Sequence, residues 1–584
     1  MMGDYGFKEA IKSTFDNQED VRTLDTSGVG FPDMIDEDML YVDKTLLIDD
    51  ILRRSPRGAF LYTRPRRFGK TTNISMLEEF FDIGKKGTRC FDGLAISGPE
   101  FSRYDVHKNA YNVIHLDLKG AKSTTPESFM GKLANIMGRA YRDHLDELDL
   151  DSMVPGDAAR YRRMMDGCAT EAETLDSVRF LSEVLYRNNH RTSVILIDEY
   201  DAPALAGLND ASYMPIVESL SLFISNSVKS NRYMQMSVLT GVAQIAKQTL
   251  FSSANNIVVN DILSKTSDER FGFTEAEVKR ILEEAKHPEK LEEVKEWYDG
   301  YRFGNAEVYN PYSIINYVSD DCERPKGYWV RTGMDVLLSD IITRLGESCT
   351  VKLHRLLKGE SIVEEIDLDI SFKDPIVTER SAFSIMAMAG YLNAVPEDDD
   401  LCRLSIPNRE IRRHLEKLMR GIVNIDRDRY DEFCRAVMEN DAERMRDILE
   451  RILLDKSLFQ LHHENVYGLM VTMILEGISE HYDVRVEAED SIGRSDAVLR
   501  SKDGDRANIV FEFKRVRDEK DLVAGADAAM RQIHDRRYYA GMTGDVILIG
   551  LSFWKKFPFV RSEVINMERD WERLRPNASD GPRS

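Results

Sequence analysis

The chain has 584 residues, 42% hydrophobic and 31% charged, which suits roughly two to four packed domains and excludes a disordered tether. A net charge of −22 argues against a nucleic-acid packager or an anionic-membrane binder, yet leaves room for a local basic groove. The longest apolar stretch, near 467–475, falls short of a bilayer span, and the N-terminus shows no secretory pattern. With six scattered cysteines and no Cys-x-x-Cys pair as well, a cytoplasmic multidomain protein is expected.

Apolar strand-like runs at 58–63, 112–118, 192–197 and 234–239 alternate with helical patterns at 71–82, 126–142 and 175–188. This alternation predicts a mainly parallel sheet covered on both faces, within a first domain at 1–270. From Phe271 the pattern changes. Thr274-x-x-Glu277 is a capping box, and Asn310-Pro311 a cap followed by a first-turn proline, each opening a helix. A helical middle domain is expected at 271–455. Short strands return at 484–488, 496–500 and 509–513, followed by a helix at 524–536 and a strand at 545–552. These predict a small α/β domain at 456–560 and a tail at 561–584. The overall fold class expected is α/β.

The first strand runs into the basic loop Arg64-Pro65-Arg66-Arg67-Phe68 and then Gly69-Lys70-Thr71-Thr72. A strand, a loop and a helix start of this kind cradle phosphates on backbone N–H groups. Lys70 reaches the β/γ oxygens of a nucleotide and Thr71 holds Mg²⁺. Arg64 stands where the common pattern has its first glycine, so the backbone must take another path. Downstream, 193–197 ends in Asp198-Glu199: Asp198 can join the Mg²⁺ shell, and Glu199 can polarise an attacking water. The strand at 234–239 ends in Thr240, a polar residue where a γ-phosphate contact would lie. Arg66 and Arg67 either meet phosphate charge or pair with Asp43 or Asp201, and phosphate contact by one of them is expected.

These residues, with Tyr41-Val42-Asp43-Lys44-Thr45, Asp198-Glu199-Tyr200-Asp201-x-Pro203, Thr240-Gly241-Val242, Phe271-Gly272-Phe273-Thr274, Trp297-Tyr298-Asp299-Gly300-Tyr301 and Tyr309-Asn310-Pro311, resemble the AAA-ATPase-like family of prokaryotic proteins. The resemblance implies a P-loop ATPase using ATP and Mg²⁺, commonly fused to a C-terminal nuclease-like domain. It also implies that Arg64 is that family's ordinary loop residue.

Near the C-terminus, Asp496 begins one strand, while Glu512 and Lys514 share a face of the next because strand side chains alternate. A polar hairpin between the strands brings Asp496 near Glu512. Converging carboxylates bind Mg²⁺ or Mn²⁺, and a neighbouring lysine stabilises or helps deprotonate the attacking water. The spacing resembles the PD-(D/E)xK nuclease superfamily, with Ser495 in place of the proline. That resemblance implies Glu464 as the first acidic residue of the metal site and Gln532, followed by Tyr538-Tyr539, as a further catalytic position. Residues 485–537 hold 12 Lys/Arg and 12 Asp/Glu, a neutral window in an acidic chain that suits a nucleic-acid surface.

The expected partners are ATP and nucleic acid, DNA ahead of RNA, with no membrane and with a homo-oligomer left open. The function expected is ATP binding or hydrolysis coupled to a metal-dependent nuclease. The rival is a non-catalytic nucleotide switch whose C-terminal domain only binds nucleic acid or a protein. His462-His463 would face different sides of a helix and suit a surface or capping role, while Trp297-Tyr298 and Tyr328-Trp329 suit core packing better than base stacking.

Overall fold

The computed structural model describes residues 22–206, 213–229, 231–244, 257–329, 338, 342, 347–368, 378–398, 400–423, 427–454, 478, 481–490 and 493–570. The chain divides into two compact units, 1–332 with 361–414 and 333–360 with 415–584. The segment 271–455 is therefore shared between the two units, where a separate middle domain was expected.

The first unit is built on five parallel strands: β1 (Ala59–Thr63), β2 (Asn112–Asp117), β3 (Ser193–Asp198), β4 (Met234–Gly241) and β5 (Ile257–Asn260). Their order is β2-β3-β4-β1-β5. Every residue of β1 and of β3 is buried, as a sheet covered on both faces requires. Leu61, Ile114, Ile195, Ile197 and Leu239 join one core with α2 (Pro126–Asp143), α3 (Ser177–Asn189) and α4 (Tyr213–Val228). The helix α1 (Lys70–Phe81) leaves directly from the end of the loop after β1.

Beyond the sheet, Thr274 and Glu277 close the expected capping box on α5 (Glu275–Glu284). The helix α6 (Leu291–Tyr298) follows, and Asn310 accepts a hydrogen bond from Ser313 N (3.2 Å) at the start of α7 (Pro311–Ser319). Helices dominate here, but two small antiparallel sheets are inserted. One pairs β6 (Tyr301–Phe303) with β7 (Ala306–Val308); the other joins β8 (Ile362–Glu365), β9 (Asn393–Pro396) and β10 (Leu401–Ser405) in the order β8-β10-β9. Trp297, Tyr298 and Trp329 are buried in the core, as their sequence context suggested. The helix α8 (Arg409–Val423) follows β10.

The second unit carries β11 (Tyr482–Asp490), β12 (Gly493–Ser501), β13 (Asn508–Arg515), β14 (Asp545–Trp554) and β15 (Phe557–Asn566), adjacent in chain order. Only β13 and β14 run parallel, so a crossover must join them, and α11 (Leu522–Arg536) provides it. Side chains alternate between two cores. Ala497, Leu499, Ile509, Phe511, Ile547 and Ile549 face α9 (Arg427–Met438) and α10 (Ala442–Leu454). Val498, Val510, Val546 and Leu548 face Ile533, Tyr538 and Tyr539. β15 runs to Asn566, inside the segment expected to be a tail.

Candidate functional site

β1 lies between β4 and β5, yet the chain leaving it crosses to β2 at the far edge. A parallel sheet opens a crevice at such a reversal, beyond the carboxyl ends of its strands. Loop 64–69 occupies that position. Gly69 has φ +79°, a left-handed turn that starts α1 and that a side chain would strain. Lys70 is buried; its ammonium donates to the carbonyls of Arg64 (3.1 Å) and Pro65 (3.0 Å) and lies 3.8 Å from Glu199 Oε1.

The Asp198 carboxylate is the hub of the site. Thr71 Oγ1 donates to Oδ2 at 2.5 Å, and Thr240 Oγ1 and Glu199 N (3.0 Å) donate to Oδ1. Residues from the start of α1 and the ends of β3 and β4 thus meet on one carboxylate. Hard oxygen donors from Thr71 and Asp198 side by side fit a Mg²⁺ ion. Thr72 follows Thr71 in the first turn of α1. Glu199 itself has φ +51°, a strained conformation of the kind that collects at functional sites.

The residues after it lock the turn. Tyr200 N donates to Thr240 O (3.0 Å) and its hydroxyl to Ala243 O (2.8 Å). Asp201 is fully buried and takes Val242 N (2.8 Å) and Ala243 N (2.7 Å) on Oδ2. Gly241 is needed there, since a Cβ would come within 2.7 Å of Asp201 Oδ1. Burial, and then the charge of Glu199, push the Asp201 carboxyl up to about 6.

The loop arginines take separate places. Arg64 continues the strand pairing, its N–H donating to Gly241 O (3.0 Å), and its guanidinium is buried. It donates to Thr63 O (2.8 Å), Asn260 O (3.0 Å) and Asn260 Oδ1 (2.6 Å), between the rings of Phe271 and Phe303. The glycine position is thus filled by an anchor to β5. Of the two candidates for phosphate contact, Arg67 donates to Tyr328 O (2.7 Å) and stacks on Tyr312. Neither Asp43 nor Asp201 pairs with these arginines: Asp43 accepts from Thr45 and Ala95 N, and Asp201 from the backbone after β4. Lys122, beyond the end of β2, is a cation that motif reading missed; burial and neighbouring Arg66 push its amine down. Its position just past a strand end of the same sheet was the available signal.

In the second unit, Glu512 is buried and its Oε1 accepts from Lys514 Nζ at 2.7 Å, so the two share a face of β13. The β12–β13 register includes Ala497 opposite Phe511, one residue from Asp496 on one strand and from Glu512 on the other. The Asp496 side chain, Glu464 and His462-His463 lie outside what is described. Gln532 Nε2 on α11 donates to Tyr538 OH (3.0 Å). Close packing of α11 on β14 requires Gly550, whose Cβ would come within 2.7 Å of Ala526 O. Among the described residues no three His, Cys, Asp or Glu side chains form a metal cage.

The chain is similar to two families. Residues 28–251 match the family model described as a predicted AAA-ATPase, and residues 462–562 match that of the PD-(D/E)XK nuclease superfamily. An uncharacterized protein in the vnfD 5′ region of Azotobacter chroococcum mcd 1 is 25% identical over 400 residues, covering 66% of this chain and 67% of its own. The two matches point to an ATPase domain followed by a nuclease domain. Among the described residues no helix is long and apolar enough to cross a membrane.

Proposed function

We propose that this chain binds and hydrolyses ATP with Mg²⁺ at the loop after β1, and that nucleotide state governs a metal-dependent nuclease in the second unit, acting on DNA in the cytoplasm. The observation that carries the first half is the meeting of Thr71, Thr240 and Glu199 N on Asp198, beside Lys70. The bound ion, held by Thr71 and Asp198, would neutralise phosphate charge. Lys70, Arg66 and the N–H groups of loop 66–71 would hold the phosphate oxygens, and Asp198 would fix the Thr71 hydroxyl. Glu199 would accept a proton from the attacking water, with Thr240 orienting the γ-phosphate.

For the second half, the support is a buried carboxylate paired with a lysine on one strand face, one position beyond a registered pair with the strand of Asp496. Asp496 and Glu512, with Glu464, would hold Mg²⁺ or Mn²⁺, whose role is to activate water and neutralise phosphate charge. Lys514 would steady the developing charge at the scissile phosphate, with Gln532 beside it. Cleavage of plasmid, single-stranded DNA and RNA, with and without metal and ATP, tests the proposal. Metal-dependent DNA cutting supports it. ATP binding without turnover or cutting would favour the non-catalytic switch.

A further inference from the structure

The phosphate-binding loop is fastened at points far outside the sheet. Phe68 is fully buried between Tyr301 and Phe303, with ring centroids 4.9 and 5.0 Å away. Pro65 packs against Gly390, where a Cβ would come within 2.9 Å of it. Arg67 has φ +69°, a left-handed conformation that a non-glycine residue keeps only where its surroundings over-determine it. Two contacts do so: the guanidinium lies 3.9 Å from the centroid of the Tyr312 ring, and Nη1 donates to Tyr328 O at 2.7 Å.

Those two contacts are in turn held by one buried carboxylate. Tyr328 N (2.6 Å) and Trp329 N (2.8 Å) both donate to Glu410 Oε1, and Ser313 Oγ donates to Oε2 (2.8 Å). Ser313 lies one residue after Tyr312 in α7, so Glu410 fixes both surfaces that grip Arg67. Glu410 is 1% exposed, and a buried carboxylate with three donors is a rigid anchor.

We propose that Glu410, Tyr312 and Arg67 form a positioning brace that holds the phosphate loop in its nucleotide-binding form, making the segment after the sheet part of the nucleotide site rather than a passive linker. This rests on the reading of loop 64–71 as that site. The brace acts through pre-organisation: without it the loop samples other backbone conformations, and apparent affinity falls by the fraction of molecules that remain competent.

Calorimetric ATP titration of the full chain tests this, with an unfolding curve for each variant. Arg67→Gly relieves the left-handed backbone but removes the grip, and is expected to weaken ATP about tenfold, as if roughly one molecule in ten kept the binding form. Tyr312→Ala should behave alike, whereas Tyr312→Phe, which keeps the ring, should bind as the wild type does. Wild-type or tighter binding by Arg67→Gly would overturn the brace. So would weakened binding in Arg67→Gly with none in Tyr312→Ala, the pattern of direct phosphate contact. Lys70→Ala separates the two claims: if it too binds ATP normally, the nucleotide site itself is misplaced.

Discussion

Replacing Arg64 with glycine restores the common form of the phosphate loop, yet the structure predicts a damaged protein. The guanidinium donates to Thr63 O, Asn260 O and Asn260 Oδ1 at 2.6–3.0 Å, and a longer contact reaches Ser267 O at 3.5 Å. Hydrogen bonds from a charged donor contribute about 1.5–3 kcal/mol each. Removing the guanidinium recovers part of this, because burying a charge is costly, and that burial pulls the Arg64 pKa down to about 10. What remains is the cost of leaving Asn260 and Ser267 carbonyls without donors, opening a cavity between Phe271 and Phe303, and adding a flexible glycine. Breaking a buried network of this kind costs about 3–5 kcal/mol. For a unit of this size that lowers the melting temperature by about 5 °C. Differential scanning calorimetry of the full chain reads the shift. An unfolding profile within about a degree of wild type, together with tighter ATP binding, would contradict the anchoring role.

Other perturbations separate the roles assigned above. Lys70→Ala should weaken ATP on the order of 100-fold in calorimetry, whereas Glu199→Gln should bind normally and lose about 100-fold or more in phosphate release. Asp201 titrates at about 6 in the folded chain against an ordinary value of 3.8, so the native state binds more protons than the unfolded one between those values. Native stability therefore gains as pH falls through that window, and Asp201→Asn should lose this gain; parallel pH profiles of the melting temperature in the two proteins would contradict the assignment. Lys514→Ala should retain metal in a binding titration yet cut about 100-fold more slowly, while Asp496→Ala should lose both.

The parallel sheet and the strand-end constellation were legible because each depends on local pattern. Continuous apolar runs mark buried strands, and Gly-Lys-Thr one short loop after such a run, or Asp-Glu at its end, places its chemistry at the carboxyl ends of the strands. The Thr274–Glu277 capping box was legible for the same reason. What escaped depends on partners distant in sequence. β8 is four residues long and pairs with β10 across a helix and β9, leaving no local signature in a helical context. β15 mixes polar and apolar residues as an edge strand does, and its pairing with β14 shows only in the folded sheet. Arg67 could not be assigned from the loop, because Tyr312, Tyr328 and Glu410 lie far down the chain. The division of 271–455 between two units is likewise a matter of packing. In the second unit, period-two alternation marked β12 and β13, and with them the shared face of Glu512 and Lys514.

On the proposed function, one chain joins a nucleotide site to a metal-dependent phosphodiesterase. Its most direct test is a cleavage time course on plasmid DNA with Mg²⁺ or Mn²⁺, with and without ATP, comparing wild type, Lys70→Ala and Lys514→Ala. Wild type is expected to cut only with metal and at a rate that changes with ATP, Lys70→Ala to lose that ATP response, and Lys514→Ala to lose nearly all cutting. Cutting at equal rates in wild type and Lys514→Ala, or cutting without any divalent ion, would contradict it.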